Sequence, residues 1–240
     1  VNDGFFYGMS PEKLYARRIG NKFRFKAEDS MLESKLAEVD LNAYDLIFLR
    51  LPRPVSDQFL LWISDLFQDI PIINKPEGII NTSNKEYLLN FPDLCPPMKL
   101  CKSIEEVMEF SKQFPIVLKP LREYGGKGLL KISGNNCNDG KEDYDTFTYL
   151  KTIEKELKKD GYLAMEFMYK VTEGDKRILV VGGRIMASSL RLPAKDSWLC
   201  NVAQGGTSVA ATSDPSEEAM IAAIAPKMKE EGILIYGVDT

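Results

Sequence analysis

The stretch LKPLREYGGKGLLKI, Leu118 to Ile132, carries Lys119 inside an apolar run and then breaks into a glycine pair beside a second lysine, Lys127. Two interpretations fit these residues. In the first, the glycines form a plain turn between two strands, and Lys119 lies at a strand end with its ammonium group in solvent. In the second, the segment is a flexible flap whose backbone N–H groups and lysines close over the phosphates of a nucleotide.

The composition narrows the class of protein. The 240 residues are 44% apolar and 28% charged, which is typical of a globular chain. A net charge of −4 and a pI near 5.2 argue against a nucleic-acid partner, because such proteins normally show a basic footprint. No apolar run reaches the roughly 18 residues of a membrane span, so we expect no membrane partner.

Histidine is absent from the sequence. Its absence excludes Ser-His-Asp and Cys-His catalysis and histidine-ligated zinc. The remaining lysines, arginines, carboxylates and backbone groups suit phosphoryl chemistry, in which positioning and charge neutralisation do most of the work. The four cysteines lack C-x-x-C spacing, which predicts reduced thiols and a cytoplasmic location.

Strand and helix signals alternate along the chain and predict an α/β or α+β fold, with an early strand-helix unit and a later antiparallel sheet. Ser103 and Glu106 form an S-x-x-E capping box, which predicts a helix from Ile104 to Phe114. The predicted elements also include a strand over 44–51, a helix over 57–67 capped by Ser56, an exposed loop over 134–145, a hairpin at Gly182–Gly183 and a helix over 215–231.

Charged residues later in the chain allow two interpretations as well. Glu166 could be an edge-strand carboxylate, Asp175 and Arg177 a surface ion pair, and Arg191 a solvated charge at a strand end. Alternatively, these side chains and Lys119 could converge on one site, since an ammonium group buried without an anionic partner is costly. Their serial order favours the site.

This order of motifs resembles the ATP-grasp superfamily and, within it, the prokaryotic-type glutathione synthetases. The segments that carry the resemblance are IINKPEGIINTSNKEYL (72–88), IVLKPLREYGGKGLLKI (116–132), EGDKRILVVGGRIMASSLRLP (173–193), NVAQGG (201–206) and GILIYGVD (232–239). The resemblance implies an ATP-grasp fold that follows an incomplete N-terminal pre-ATP-grasp α/β domain. It divides the chain into a substrate domain (1–80), a lid subdomain (81–160) and a catalytic subdomain (161–240).

The resemblance also implies a set of ATP-binding residues. Lys85 and Lys119 would contact the phosphates from two sides, and the glycines and lysine of the flap would form a mobile lid. Glu166, Phe167 and Met168 would form the hinge that reads the adenine edge, with Asp175 on the ribose side. The lid residues are Gly125, Gly126, Lys127 and Gly128.

Further positions would carry the chemistry. Arg177 and Arg191 resemble the arginines that neutralise the transferring phosphoryl group, Asn201 resembles part of the acceptor site, and Asp239 matches a magnesium ligand. The family chemistry is amide formation from a carboxylate and an amine through an acyl phosphate, with ATP and Mg²⁺. The substrates would be small molecules, γ-glutamylcysteine and glycine or related compounds, in a homo-oligomer.

Two alternatives stay open at this point. One is an ATP-grasp module that binds nucleotide without catalysis, and the other is a kinase that stops at phosphoryl transfer. The family's Glu-x-Asn metal ligands would lie beyond Thr240, so we expect the sequence to be part of a longer protein. If it were the whole molecule, one remaining metal ligand would predict weak or absent catalysis.

Overall fold

The computed structural model describes residues 13–17, 36–50, 55–195 and 197–240. The chain divides into two compact units, Val1–Ile80 and Asn81–Thr240. The further division of the second unit at residue 160 stays a prediction. No helix in the described ranges is both long and apolar enough to cross a bilayer.

The first unit contains a short strand-helix-strand arrangement. Its elements are β1 (Lys13–Arg17), β2 (Leu36–Asp40), a 3-10 turn (Leu41–Ala43), β3 (Ile47–Phe48), α1 (Asp57–Leu66), β4 (Ile72–Ile73) and the start of α2 (Pro76–Thr82). Strands β1 and β2 pair antiparallel, whereas β3 and β4 pair parallel on either side of α1 in the sequence. Ser56 caps α1 as predicted, because its hydroxyl accepts from the Phe59 N–H at 3.2 Å.

The second unit begins with two 3-10 segments (Lys85–Asn90 and Pro92–Leu94) and a six-stranded sheet with its helices. These elements are β5 (Met98–Cys101), α3 (Ile104–Phe110), β6 (Ile116–Pro120), β7 (Leu130–Ser133), β8 (Asn136–Asn138), β9 (Asp143–Asp145), α4 (Thr146–Thr152), α5 (Glu154–Lys159) and β10 (Tyr162–Glu166). The strand order is β5-β10-β6-β7-β8-β9, and every pair is antiparallel. One face carries Ile116, Leu118, Leu130 and Ile132 into a buried core with α3, α4 and α5.

The opposite face of this sheet carries Lys119, one of the predicted site residues. Val117 and Met165 lie there with Leu163 and Phe167, because side chains alternate between the two faces of a strand. Lys119 follows Val117 by two residues and therefore shares this face. Strand alternation alone thus places Lys119 on an otherwise largely apolar face, which it shares with Lys131.

A four-stranded antiparallel sheet completes the second unit. Its elements are a 3-10 turn (Tyr169–Glu173), β11 (Asp175–Val181), β12 (Arg184–Leu192), a 3-10 turn (Val202–Gln204), β13 (Thr207–Ala211), α6 (Pro215–Glu230) and β14 (Ile235–Asp239), and its order is β13-β12-β11-β14. Helix α6 covers one face, where Ile221 packs on Ile178 and Val180. The other face carries the residues at 175, 177 and 191.

Some of the local predictions are confirmed and others are wrong. The Gly182–Gly183 hairpin is confirmed, with φ values of 58° and 77° that suit a tight two-residue turn. The Ser103 cap of α3 is confirmed, but the helix ends at Phe110 rather than Phe114. The predicted exposed loop over 134–145 is wrong, because this polar segment forms β8 and β9.

Candidate active site

The glycine-rich loop between β6 and β7 adopts a backbone that favours glycine. Gly125, Gly126 and Gly128 have φ values of 66°, 77° and 69°, in the left-handed region where an L side chain is strained. Lys127 stands exposed among them. The loop therefore joins two paired strands, as the first interpretation required, and also presents its backbone, as the second required.

This loop lies against the segment that contains Asn201. The Gln204 side-chain amide donates to the Gly125 carbonyl at 3.1 Å. A Cβ atom added at Gly126 would lie 2.6 Å from Asn201 Oδ1, closer than real Cβ contacts. The predicted lid glycines and the predicted acceptor-site residue are thus brought together.

Lys85 lies at the base of the same loop. Its ammonium group donates to the Pro120 carbonyl at 2.6 Å and also to the Glu123 carbonyl, and it lies 5.6 Å from the centroid of the Tyr124 ring. Burial, together with the charge of Lys119 and against that of Glu123, lowers the pKa of Lys85 to about 8. Lys85 and Lys119 are therefore close enough to repel each other.

Lys119 is half-buried on the site face of β6, where its Nζ lies 3.4 Å from Met165 Sδ. Burial lowers the pKa of Lys119, and the charges of Asp239, Cys95 and Asp175 oppose that shift. Lys119 therefore lies within electrostatic range of Asp175 and Asp239. The structure does not place it as a solvated charge at a strand end.

Two arginines and two aspartates form a charge network at that end. The Arg191 guanidinium donates to both oxygens of Asp175, at 2.7 and 2.6 Å, and its Nη2 lies 3.0 Å from Asp239 Oδ1. Arg177 binds Asp239 with both its Nε and its Nη2, the latter 2.7 Å from Oδ2. The antiparallel register produces these pairs, since Asp175 lies opposite Arg191 and Arg177 lies opposite Asp239.

The network fixes the charge of Asp239. Burial works to raise the pKa of this carboxyl group, but the hydrogen bonds and charges of Arg177 and Arg191 outweigh burial and lower it. Asp239 is therefore an anion held between two cations. Asp175, predicted on the ribose side, has both carboxylate oxygens bound by Arg191.

The predicted hinge begins at Glu166, the last residue of β10. The Glu166 N–H donates to the Pro97 carbonyl at 2.9 Å and the Phe167 N–H to the Pro115 carbonyl at 2.8 Å. The Phe167 ring is buried edge-to-face against Trp198, with centroids 5.8 Å apart. Met168, the third predicted hinge residue, is exposed.

The predicted magnesium ligand can be tested against this geometry. Asp239 Oδ1 accepts from both arginines and Oδ2 accepts from Arg177, which leaves one lone pair on Oδ2. No group of three His, Cys, Asp or Glu side chains capable of holding a metal occurs among the residues that the structure describes. The residues therefore fit a cation held mainly by nucleotide phosphates and water, the usual situation of Mg²⁺ in nucleotide sites, with Asp239 as a protein ligand.

Sequence reasoning missed three side chains around the site. Tyr124 donates its hydroxyl to the Ser83 carbonyl at 2.6 Å and holds the loop toward Lys85. Lys131 places its ammonium group 4.0 Å from the Phe167 ring centroid, and Glu217 lies buried behind the charge network. Lys131 interrupts an apolar strand as Lys119 does, so the sequence contained a signal that could have identified Lys131. Glu217 gives no such signal, because a glutamate at the start of a helix is usually a surface residue.

The contact between Gly126 and Asn201 yields a matched test. We expect Gly126→Ala to displace the Asn201 segment and to increase the rate of tryptic cleavage after Lys127 by about tenfold, because the added methyl group overlaps Asn201 Oδ1. Gly134→Ala is the control, since Gly134 has a comparable φ of 61° with nothing within 4 Å of the added Cβ. Equal cleavage rates in the two variants would contradict a packed lid.

Comparisons with known proteins agree with this geometry. Residues 84–240 match the family described as prokaryotic glutathione synthetase, ATP-grasp domain. The glutathione synthetase of Rhodopseudomonas palustris is 28% identical over 244 residues, which cover 96% of this chain and 75% of that protein. The glutathione synthetase of Bradyrhizobium diazoefficiens is 28% identical over 203 residues, which cover 83% of this chain and 62% of that protein.

Solved structures share the fold. The D-cycloserine synthetase DcsG superposes on this chain with a TM-score of 0.63 at 14% sequence identity. The alignment covers 84% of this chain and 72% of the DcsG chain. The N5-carboxyaminoimidazole synthetase of Staphylococcus aureus, solved with ADP, gives a TM-score of 0.53 at 13% identity and covers 81% of this chain and 49% of its own. The predicted ATP-grasp fold is confirmed, and the chain belongs to the family of the prokaryotic glutathione synthetase ATP-grasp domain.

Proposed function

We propose that this chain forms the ATP-binding and catalytic part of an ATP-dependent carboxylate-amine ligase of the glutathione synthetase type, with γ-glutamylcysteine and glycine or related small molecules as substrates. The observation that carries the proposal is the convergence of Arg177 and Arg191 on the carboxylates of Asp175 and Asp239, within electrostatic range of Lys119. The chain spans 75% and 62% of the length of the two glutathione synthetases compared above, in that order. Their shared name favours a ligase over a nucleotide-binding module without catalysis.

Nucleotide binding is assigned to the loop and the two half-buried lysines. Lys85 and Lys119 contact the phosphates, and the backbone N–H groups of the positive-φ glycines approach them closely with Lys127. The adenine edge meets the hinge at Met168, and the ribose lies on the side of Asp175. A closed lid keeps water from the reacting groups.

The arginines are assigned to the transferring phosphoryl group. An oxygen of the substrate carboxylate attacks the γ-phosphorus, the bond to the β-phosphate oxygen breaks, and ADP leaves. The amine nitrogen then attacks the acyl carbon and loses a proton, and inorganic phosphate departs. Arg177 and Arg191 stabilise the charge on the phosphoryl oxygens through both steps, and Asn201 lies where the lid meets the acceptor side.

Asp239 and the phosphates of the nucleotide would hold Mg²⁺ in this proposal. Bound there, it would neutralise phosphate charge, and the remaining lone pair of Asp239 Oδ2 would help to hold it. We further propose a cytoplasmic homo-oligomer. Its four cysteines are free, with Cys101, Cys137 and Cys200 buried, which suits a reducing compartment.

The function is tested by ADP release from the full-length protein with ATP, Mg²⁺ and γ-glutamylcysteine, with and without glycine. We expect release that depends on glycine, and we expect Arg191→Met to lower kcat by about 100-fold, because a positioned charge at the phosphoryl group is lost. Arg184→Met is the matched control, since Arg184 is exposed on the same strand. ADP release that needs no amine would instead indicate a kinase, and wild-type turnover by Arg191→Met would refute the arginine's role.

The lowered pKa of Lys85 predicts how nucleotide affinity depends on pH. Only the protonated ammonium attracts phosphate, so the association constant for ATP is expected to be constant well below pH 8 and to fall as the pH rises through about 8. Because one proton is involved, the fall is at most about tenfold per pH unit, and it ends at the higher pKa that Lys85 has beside bound phosphate. Titration calorimetry from pH 6.5 to 9.5 measures it, and a Lys85→Met variant with the same fall above pH 8 would show that another group is responsible.

A further inference from the structure

The charge network has a second layer on the opposite face of its sheet. Residues 175 and 177 of β11 face the network, so Lys176 between them faces α6. Thr240 follows Asp239 and turns to the same side. Lys176 and Thr240 exchange backbone hydrogen bonds of 2.9 Å in both directions, and this pair is a rung of the ladder between β11 and β14.

One buried carboxylate binds both side chains of that rung. Glu217 Oε2 accepts from Lys176 Nζ at 2.8 Å, and Glu217 Oε1 accepts from the Thr240 hydroxyl at 3.0 Å. Oε2 also accepts from the Asp214 N–H at 3.0 Å and completes the capping box of α6. Glu217 is only 8% exposed, so these hydrogen bonds hold the first turn of α6 on the end of both strands.

The geometry points to Glu217 as a positioning residue that sets the placement of Arg177 and Asp239 through Lys176 and Thr240. This inference rests on the proposed function, because it concerns the same phosphoryl site. Glu217 itself touches neither arginine nor nucleotide in this assignment. It acts from the far side of the sheet.

The physical reason lies in antiparallel pairing. Lys176 and Thr240 form a hydrogen-bonded pair, so Arg177 and Asp239 next to them form a non-hydrogen-bonded pair, in which opposite side chains lie closest. A strand pair that is held only by backbone hydrogen bonds opens more easily than one with tertiary support. Loss of the rung would allow Asp239 to move away from Arg177 and Arg191, and small displacements at a phosphoryl site cost rate.

The balance of charge supports the same role. Burial works to raise the pKa of Glu217, but the hydrogen bonds from Lys176, the Asp214 N–H and Thr240 lower it. Glu217 is therefore an anion that neutralises Lys176. Without it, Lys176 would add a cation directly behind a network that already contains two arginines.

Substitution of Thr240 in the full-length protein separates positioning from folding. We expect Thr240→Val, which removes only the hydroxyl donor to Glu217, to lower kcat for ADP release by about tenfold with an unchanged KM for ATP. We expect Thr240→Ser to restore the wild-type kcat, because it keeps the hydroxyl group. Thermal unfolding confirms that each variant is folded at the assay temperature.

Ser188→Ala is the matched control. The Ser188 hydroxyl lies 2.6 Å from the Ser213 hydroxyl, and this hydrogen bond joins the same sheet to the segment before α6. It lies away from the charge network, so loss of the Ser188 hydroxyl is expected to leave kcat unchanged. Wild-type kcat in Thr240→Val, or a Thr240→Ser variant as slow as Thr240→Val, would overturn the inference. Absence of ATP turnover in the wild-type protein would instead refute the proposed function.

Discussion

The ion pairs around Arg191 are the interaction on which the rest of the site depends. A guanidinium group that is only 10% exposed must be compensated, because a buried charge without a partner is costly. Asp175 and Asp239 compensate it, and Asp239 in turn holds Arg177. Three strands, β11, β12 and β14, are thus tied together at one end by four side chains.

The network also explains how an acidic chain can bind a polyphosphate. The protein carries a net charge of −4, yet Lys85, Lys119, Arg177 and Arg191 bring four positive charges to the site, against the carboxylates of Asp175, Asp239 and Glu123. Burial lowers the pKa of both lysines, and the charge of Lys119 lowers the pKa of Lys85 further. A bound phosphate would reduce both the repulsion between the lysines and the cost of burying their charges. The site is therefore complementary to an anion before any anion binds.

Patterns with a local physical cause could be predicted from the sequence. The glycine pair of the lid, the hairpin at Gly182–Gly183 and the caps at Ser56 and Ser103 each follow from the conformational or hydrogen-bonding needs of a few adjacent residues. The resemblance supplied the long-range order of the site residues. The structure then placed Lys85, Lys119, Arg177, Arg191, Asp175 and Asp239 close together.

Features that depend on tertiary contacts could not be predicted. Strands β8 and β9 are polar and short, so they show none of the alternation that identifies a strand, and their pairing depends on packing around Cys137. Glu217 looks like any helix-capping glutamate until the register of β14 brings Thr240 beside it. Strand register is not readable from either segment alone, and it decides which charges meet.

The central claim is that Arg191 and its aspartates form one energetically coupled unit. A double-mutant cycle with Arg191→Met and Asp175→Asn, measured by urea unfolding, tests it most directly. The account predicts a coupling free energy of about 1 to 3 kcal/mol, because the two side chains share two hydrogen bonds and are mostly removed from solvent. A coupling free energy within about 0.3 kcal/mol of zero would contradict it.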